Sequence, residues 1–325
     1  MPAGALSVLV MILKERSMNR SLARAAVFAA ASILALSVPV HAATRIEKNL
    51  KLGSGGKLTV DSDVGSVTVT GSSTSGAHVV LSSDKDDLES RFDIKFEELS
   101  GEVRISMKKK EPSSLWSGWF NNSRVTFEIE VPAKTTTAIE TGGGHITLRS
   151  LEADAHVETS GGHIEVTDLK ANLVAETSGG HIALKSIAGN AKVETSGGHI
   201  EVHGIDGNLS AETSGGHIQV EGAKGRVDAD TSGGHVEVSF AKGNARGGKI
   251  QSSGGGITVA VDPNVDLVID ASTSGGSVRT DVPVKVVGKI TGSSIQGTLG
   301  KGGETLYVHT SGGSVSIGAS GGGSI

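Results

Sequence analysis

The 325-residue chain contains no cysteine. Disulfides are therefore excluded, and so is a lipid-modified cysteine behind an export signal. Aromatic residues supply only 3% of the chain. With no basic cluster except Lys108–Lys110, a nucleic-acid partner is excluded as well. Beyond residue 42 there is no apolar run long enough to cross a bilayer as a helix.

The one apolar stretch lies at the start. Lys14, Arg16, Arg20 and Arg24 precede or border Ala25–Val40, and Val40 and Ala42 fit the small-residue pattern of a cleavage site. Sixteen residues with Pro39 and two serines are too short for a membrane span, so residues 1–42 read as a signal peptide. Its removal takes four of the 30 basic residues and one of the 35 acidic ones, leaving 26 and 34, a net charge of −8. The mature chain is expected to be exported, periplasmic or extracellular, with no integral membrane segment. From its last residues, SGGGSI, no membrane barrel or sorting tail is expected.

What the chain has in abundance is glycine, 47 residues of it, placed with a strict period. TSGGHI or a close variant puts a histidine at His145, His163, His181, His199, His217 and His235, with the same eighteen-position step each time. A period this regular marks one structural turn stacked on the last. Gly180, Gly189, Gly198, Gly207, Gly216, Gly225, Gly234 and Gly243 halve it into nine-residue units, each a short alternating run and a turn. The same unit appears at Gly56 (GKLTV) and Gly65 (GSVTV).

Alternation assigns the faces. Ile164/Val166, Ile182/Leu184 and Ile200/Val202 point inward from one strand of each coil, and Leu173/Ala175, Ala191/Val193 and Leu209/Ala211 from the other. Leu151, Leu169, Ile187, Ile205 and Ala223 make a third apolar column. No single coil buries these residues, but a stack with rungs about 4.8 Å apart does. The pattern predicts an all-β fold: a single-stranded parallel β-helix (β-solenoid) of 18-residue coils, right-handed, with glycines providing positive-φ turns and close backbone approach at the corners. First coils are expected in 43–84 and a strand insertion in 85–131 with a Trp-containing loop. Regular repeats follow in 132–325, with coils after Gly243 continuing on slightly longer turns.

VGSVTVTG, RVTFEIEVPAKTTTAIETGGG and the TSGGHIEV repeats resemble the bacterial "putative adhesin" family of exported β-strand-repeat proteins, a domain of unknown function, from about Gly56 to the end. The resemblance implies the fold and repeat type, and it brings no catalytic residues.

Four sets of residues carry candidate chemistry. Each histidine precedes an inward Ile or Val, so the six point outward as a column about 5 Å apart, with Glu165, Glu201, Gln219 and Glu237 two residues on. Imidazole nitrogen suits Zn²⁺, Cu²⁺ or Ni²⁺, although a solvated polar ladder is the plainer account of the column, since no closed ligand set is present. Glu140, Glu158, Glu176, Glu194, Glu212 and Asp230 form a second column, repelling by roughly 1 kcal/mol per neighbouring pair in water-like dielectric. Ca²⁺ takes oxygen ligands, but the calcium nonapeptide is absent. The column Thr141 to Thr231 either satisfies turn amides or offers a flat array to a repeating polymer such as a glycan. Leu115, Trp116, Trp119 and Phe120 pack on a solenoid end or contact a partner.

Gly318–Gly322 spells G-x-S-x-G without a following helix and is not read as a nucleophile elbow. Constant short turns leave no cleft, and no enzyme is expected. The expected role is a binding, adhesin-like or structural scaffold toward a protein or glycan. A divalent-metal binder acting through the His and Glu ladders, and an envelope protein that associates with itself end to end, are the alternatives.

Overall fold

In the computed structural model, residues 43–110, 124–286 and 291–320 are described. Residues 1–42, read from the sequence as a signal peptide, and the residues Leu115, Trp116, Trp119 and Phe120 lie outside them. The strands among the described residues form two sheets, of 13 and 14 strands, facing each other across one apolar core. One helical turn, Leu88–Arg91, is the exception. Among the described residues no helix is long and apolar enough to cross a membrane.

A central coil shows how the sequence makes the fold. Ile182–Ile187 runs in the first sheet, turns, and returns as Ala191–Thr195 in the second. Ser196-Gly197-Gly198-His199 then leads into Ile200–Ile205, which pairs in parallel with the strand it follows, Ile182 beside Ile200. The offset equals one sequence repeat, so each side chain stacks on its counterpart. Ile182, Leu184, Ile187, Val193, Ile200 and Val202 are 0–2% exposed. Burial through both sheets is the principal stabilisation, because no coil has a core of its own.

The two corners of a coil are built differently. The one before Leu151, Leu169 and Ile187 places Ser150, Asp168 and Ser186 at φ 56–59°, and the next two coils place Gly204 and Gly222 there at φ 78° and 71°. The Ser-Gly-Gly corner does not use positive φ, contrary to expectation. Its second glycine answers a different demand: a Cβ on Gly198 would lie 1.7 Å from the carbonyl oxygen of Gly180 in the coil below.

At both ends, stacking order departs from chain order. Glu102–Lys109 pairs with Lys57–Ser62, and Val125–Pro132 with Ser66–Ser72, so this later rung lies outside the first coil. Antiparallel strands then finish the sheets: Phe92–Leu99 on one, Ala77–Ser83 and Thr44–Leu50 on the other. At the far end, the coils carrying Thr273 and Thr310 are present but transposed. Glu304–Thr310 and Val315–Ala319 sit between Gly248–Val261 and Leu267–Thr280. The outermost strands are charged (Asp93, Lys95, Glu97, Glu98; Arg45, Glu47, Lys48) or only three and two residues long (Val278–Thr280, Lys285–Val286). Charge and shortness are the means by which sheet edges avoid pairing with other chains.

Candidate functional site

The Ser-Gly-Gly edge gathers the histidine, threonine and acidic columns, and each has a distinct job there. Thr159, Thr177, Thr195, Thr213 and Thr231 end their strands with the side chain turned inward, 0–6% exposed. Each hydroxyl donates to the carbonyl of a glycine in the coil below, Thr195 to Gly180 at 2.9 Å, and accepts the amide of the second glycine of its own corner, Gly198 at 3.2 Å. These hydroxyls are consumed in joining coils, so no threonine array faces a glycan. Thr195→Val keeps the shape and orphans a carbonyl and an amide. A loss of about 1–3 kcal/mol is expected, read from the denaturant midpoint.

The histidines stack with centroids 4.8–5.3 Å apart and planes within 16° of parallel. Nδ1 of His163, His181 and His199 accepts the backbone N–H of the histidine one coil on, at 2.8 Å. Ser66 Oγ begins this ladder under His145, and the amide of Gly256 on His235 ends it. An accepting Nδ1 requires the proton on Nε2, so each ring turns an N–H, not a lone pair, toward solvent. Two nitrogens sharing a zinc ion sit at most about 4.2 Å apart, and parallel rings at this spacing hold theirs farther. Among the described residues no group of three or more His, Cys, Asp or Glu is arranged to hold a metal ion. Burial, followed by the neighbouring His145 and His181, holds the His163 pKa below the ordinary imidazole value.

The opposite edge repeats the device with another residue. Oδ1 of Asp154, Asn172, Asn190 and Asn208 accepts the backbone N–H of residue 172, 190, 208 and 226 at 2.8–3.0 Å. Histidine Nδ1 thus plays the part of an asparagine oxygen. The six histidines are foremost a tie between coils.

The acidic column stands in register, Glu158 beside Glu176, Glu194 and Glu212. With the exposed Ser160, Ser178, Ser196 and Ser214 it lines a shallow groove of 310 Å³. Lys192 lies 2.6 Å from Glu194 and 3.9 Å from Glu176, relieving part of the repulsion. The hydrogen bond to Glu194 raises the lysine pKa.

Two features escaped the sequence reading. His203 lies outside the periodic histidine column, with Nε2 2.6 Å from Glu201 and Nδ1 3.0 Å from Glu221. The bond to Glu201 leads in raising its pKa. A second groove, of 700 Å³, follows the other edge past Asp168, Ser186, Ala188 and Gly204. The pairs Glu152–Lys170 and Asp206–Lys224, each 2.7 Å, flank it. Opposite charges one repeat apart, on either side of Ala188, were the available signal.

The family model described as Toastrack DUF4097 matches residues 55–318. The chain belongs to the Toastrack DUF4097 family. No curated protein matches this Toastrack chain. Among solved structures, a "putative adhesin" from Bacteroides fragilis is similar at 11% identity, covering 84% of this chain and 97% of its own, with a TM-score of 0.39. A "putative adhesin" from Parabacteroides distasonis shows 12% identity, 84% and 97% coverage and a TM-score of 0.42. A "Putative lipid binding protein" from the same organism shows 14%, 84% and 96%, and 0.41. The family resemblance read from the TSGGHIEV repeats is met by the Toastrack match.

Proposed function

We propose that the protein is an exported, non-enzymatic scaffold whose Ser-Gly-Gly edge contacts a linear repeating polymer of the cell envelope, a glycan. One observation carries this reading: identical polar groups recur on that edge at the rung spacing through successive coils. Ser160, Ser178, Ser196 and Ser214 lie exposed beside the glutamate row, with outward Nε2–H groups across the turn. A polymer with its own regular repeat meets the same hydroxyl and carboxylate acceptors at each step, so weak contacts add along its length. The shallow groove supplies contacts without enclosing a bond, which fits binding and not catalysis. Export supplies the compartment in which such polymers lie.

The test uses purified linear glycans of graded length. Affinity should rise with length until the chain spans Ser160–Ser214, then level off. The triple variant Ser178→Arg, Ser196→Arg, Ser214→Arg should bind at least about tenfold more weakly, a loss of about 1.4 kcal/mol. Affinity independent of length, or equal in the variant, would rule the reading out.

A further inference from the structure

The transposed coil near the C-terminus points to a route for association that the solenoid ends do not provide. After the coil Gly248–Val261 the chain places its next strands, Leu267–Thr273 and Val278–Thr280, two rungs away. The rung between is filled by residues 304–319. Both edges of this inserted coil are paired in each sheet: Leu306 with Gly248 and Ile269, and Val315 with Ile257 and Val278. Leu306, Val308, Val315 and Ile317 are 0–1% exposed, so the insert is core and not decoration.

The corner ladder follows the stack, not the chain. Thr310 Oγ1 donates to the carbonyl of Gly255, and Thr273 Oγ1 donates to that of Gly313, each at 2.6 Å. The close-approach column does likewise, since a Cβ on Gly313 would meet the oxygen of Gly255 at 2.4 Å and one on Gly276 that of Gly313 at 2.2 Å. Without residues 304–319 the remaining coils enclose a slot one rung wide, with unpaired strand edges on both sides and an open core. The groups lining it select an occupant: a coil with threonine at the corner, glycine three residues later and alternating apolar residues. Residues 304–319 of a second copy meet every one of these requirements.

The insert is joined to the strand before it, Ser294–Leu299, by Gly300-Lys301-Gly302-Gly303, with Gly300 and Gly302 at φ 60° and 80°. A glycine-rich connection reaches extended conformations without strain, so the last coil is free to leave its own slot and enter a neighbour's. We propose that residues 304–319 are an exchangeable coil, and that a second copy of this chain is the partner fitted to the slot. Such exchange joins molecules through native contacts, while the charged and short outer strands stay unpaired.

The absence of cysteine makes the test clean. Thr258 and Ser316 are exposed register partners across the slot boundary, and Glu237 and Thr258 are register partners within the body. Adjacent strands bring Cα atoms within disulfide range. Thr258→Cys/Ser316→Cys in one chain should close internally on oxidation, which reports that the variants fold and the geometry holds. Separately prepared Thr258→Cys and Ser316→Cys proteins, mixed at high concentration below the melting temperature and then oxidised, should form a covalent dimer joining the two cysteines. Its yield should exceed by about tenfold that of mixed Glu237→Cys and Thr258→Cys, whose strands do not exchange. Equal yields from both mixtures, or no cross-link above the control, would overturn the proposal.

Discussion

Gly198→Ala will destabilise the solenoid by about 4 kcal/mol or more, while Gly197→Ala, one residue away, will change stability by less than about 0.5 kcal/mol. Both glycines look alike in TSGGHI. A Cβ at Gly197 has Ser178 O as its nearest neighbour, at 3.8 Å, which is ordinary contact. A Cβ at Gly198 would sit 1.7 Å from Gly180 O and 2.4 Å from its carbonyl carbon. Those atoms are backbone and cannot swing aside as a side chain does. Relief requires the two coils to separate, and separation breaks the amide ladder and opens the core between them. The same contrast holds at Gly180 against Gly179 and at Gly216 against Gly215. Paired denaturant titrations measure it directly, and equal midpoints for the two variants would show that close approach does not govern this corner.

Acidification from pH 8 to pH 5 will lower the melting temperature by about 2–4 °C through His163. Nδ1 of His145, His163, His181, His199, His217 and His235 each accepts a backbone amide from the next coil. Protonating that nitrogen removes the acceptor and leaves the N–H opposed to another N–H. At about 1 kcal/mol for the bond that His163 accepts, and about 2–4 °C per kcal/mol for a chain of this size, the loss amounts to a few degrees.

The sign follows from His163, whose folded pKa lies below its unfolded value because of burial and then its charged neighbours. The unfolded chain then binds more protons, so this stability is complete above about pH 6.5 and is lost as pH falls toward the lowered value. His203 has the opposite sign: held by Glu201 and Glu221, its pKa is raised, and its contribution is present below about pH 6.5 and lost as pH rises through the raised value. His203 is half-exposed and its ion pairs are screened by solvent, so the loss at His163 prevails. Replacing His163 by asparagine should remove the loss on acidification while keeping the fold, because Asn172, Asn190 and Asn208 make the same bond on the other edge. Calorimetry at both pH values decides the matter, and equal melting temperatures for the natural chain would exclude the mechanism.

Much of the architecture follows from the amino-acid sequence without coordinates. One strict repeat, two alternating runs in it and a third apolar position specify two parallel sheets and one corner column. Ile164, Leu169 and Leu173 are buried where that pattern places them. The outward position and spacing of the histidines follow as well, because in-register strands fix the distance between equivalent side chains.

What tertiary structure alone decides is whatever depends on an atom one coil away. The role of Nδ1, the partners of the threonine hydroxyls and the difference between two adjacent glycines are set by groups in the neighbouring coil, far off along the chain, and no local pattern reports them. Asp168 takes φ 56° where Gly204 takes 78°, so composition did not mark that corner either. The order of coils at the ends is likewise invisible to periodicity. A T-S-G-G motif states that it forms a rung, but every rung presents the same edges to its neighbours. The place of the Thr310 rung inside that of Thr273 is decided by which slot the folded chain leaves open.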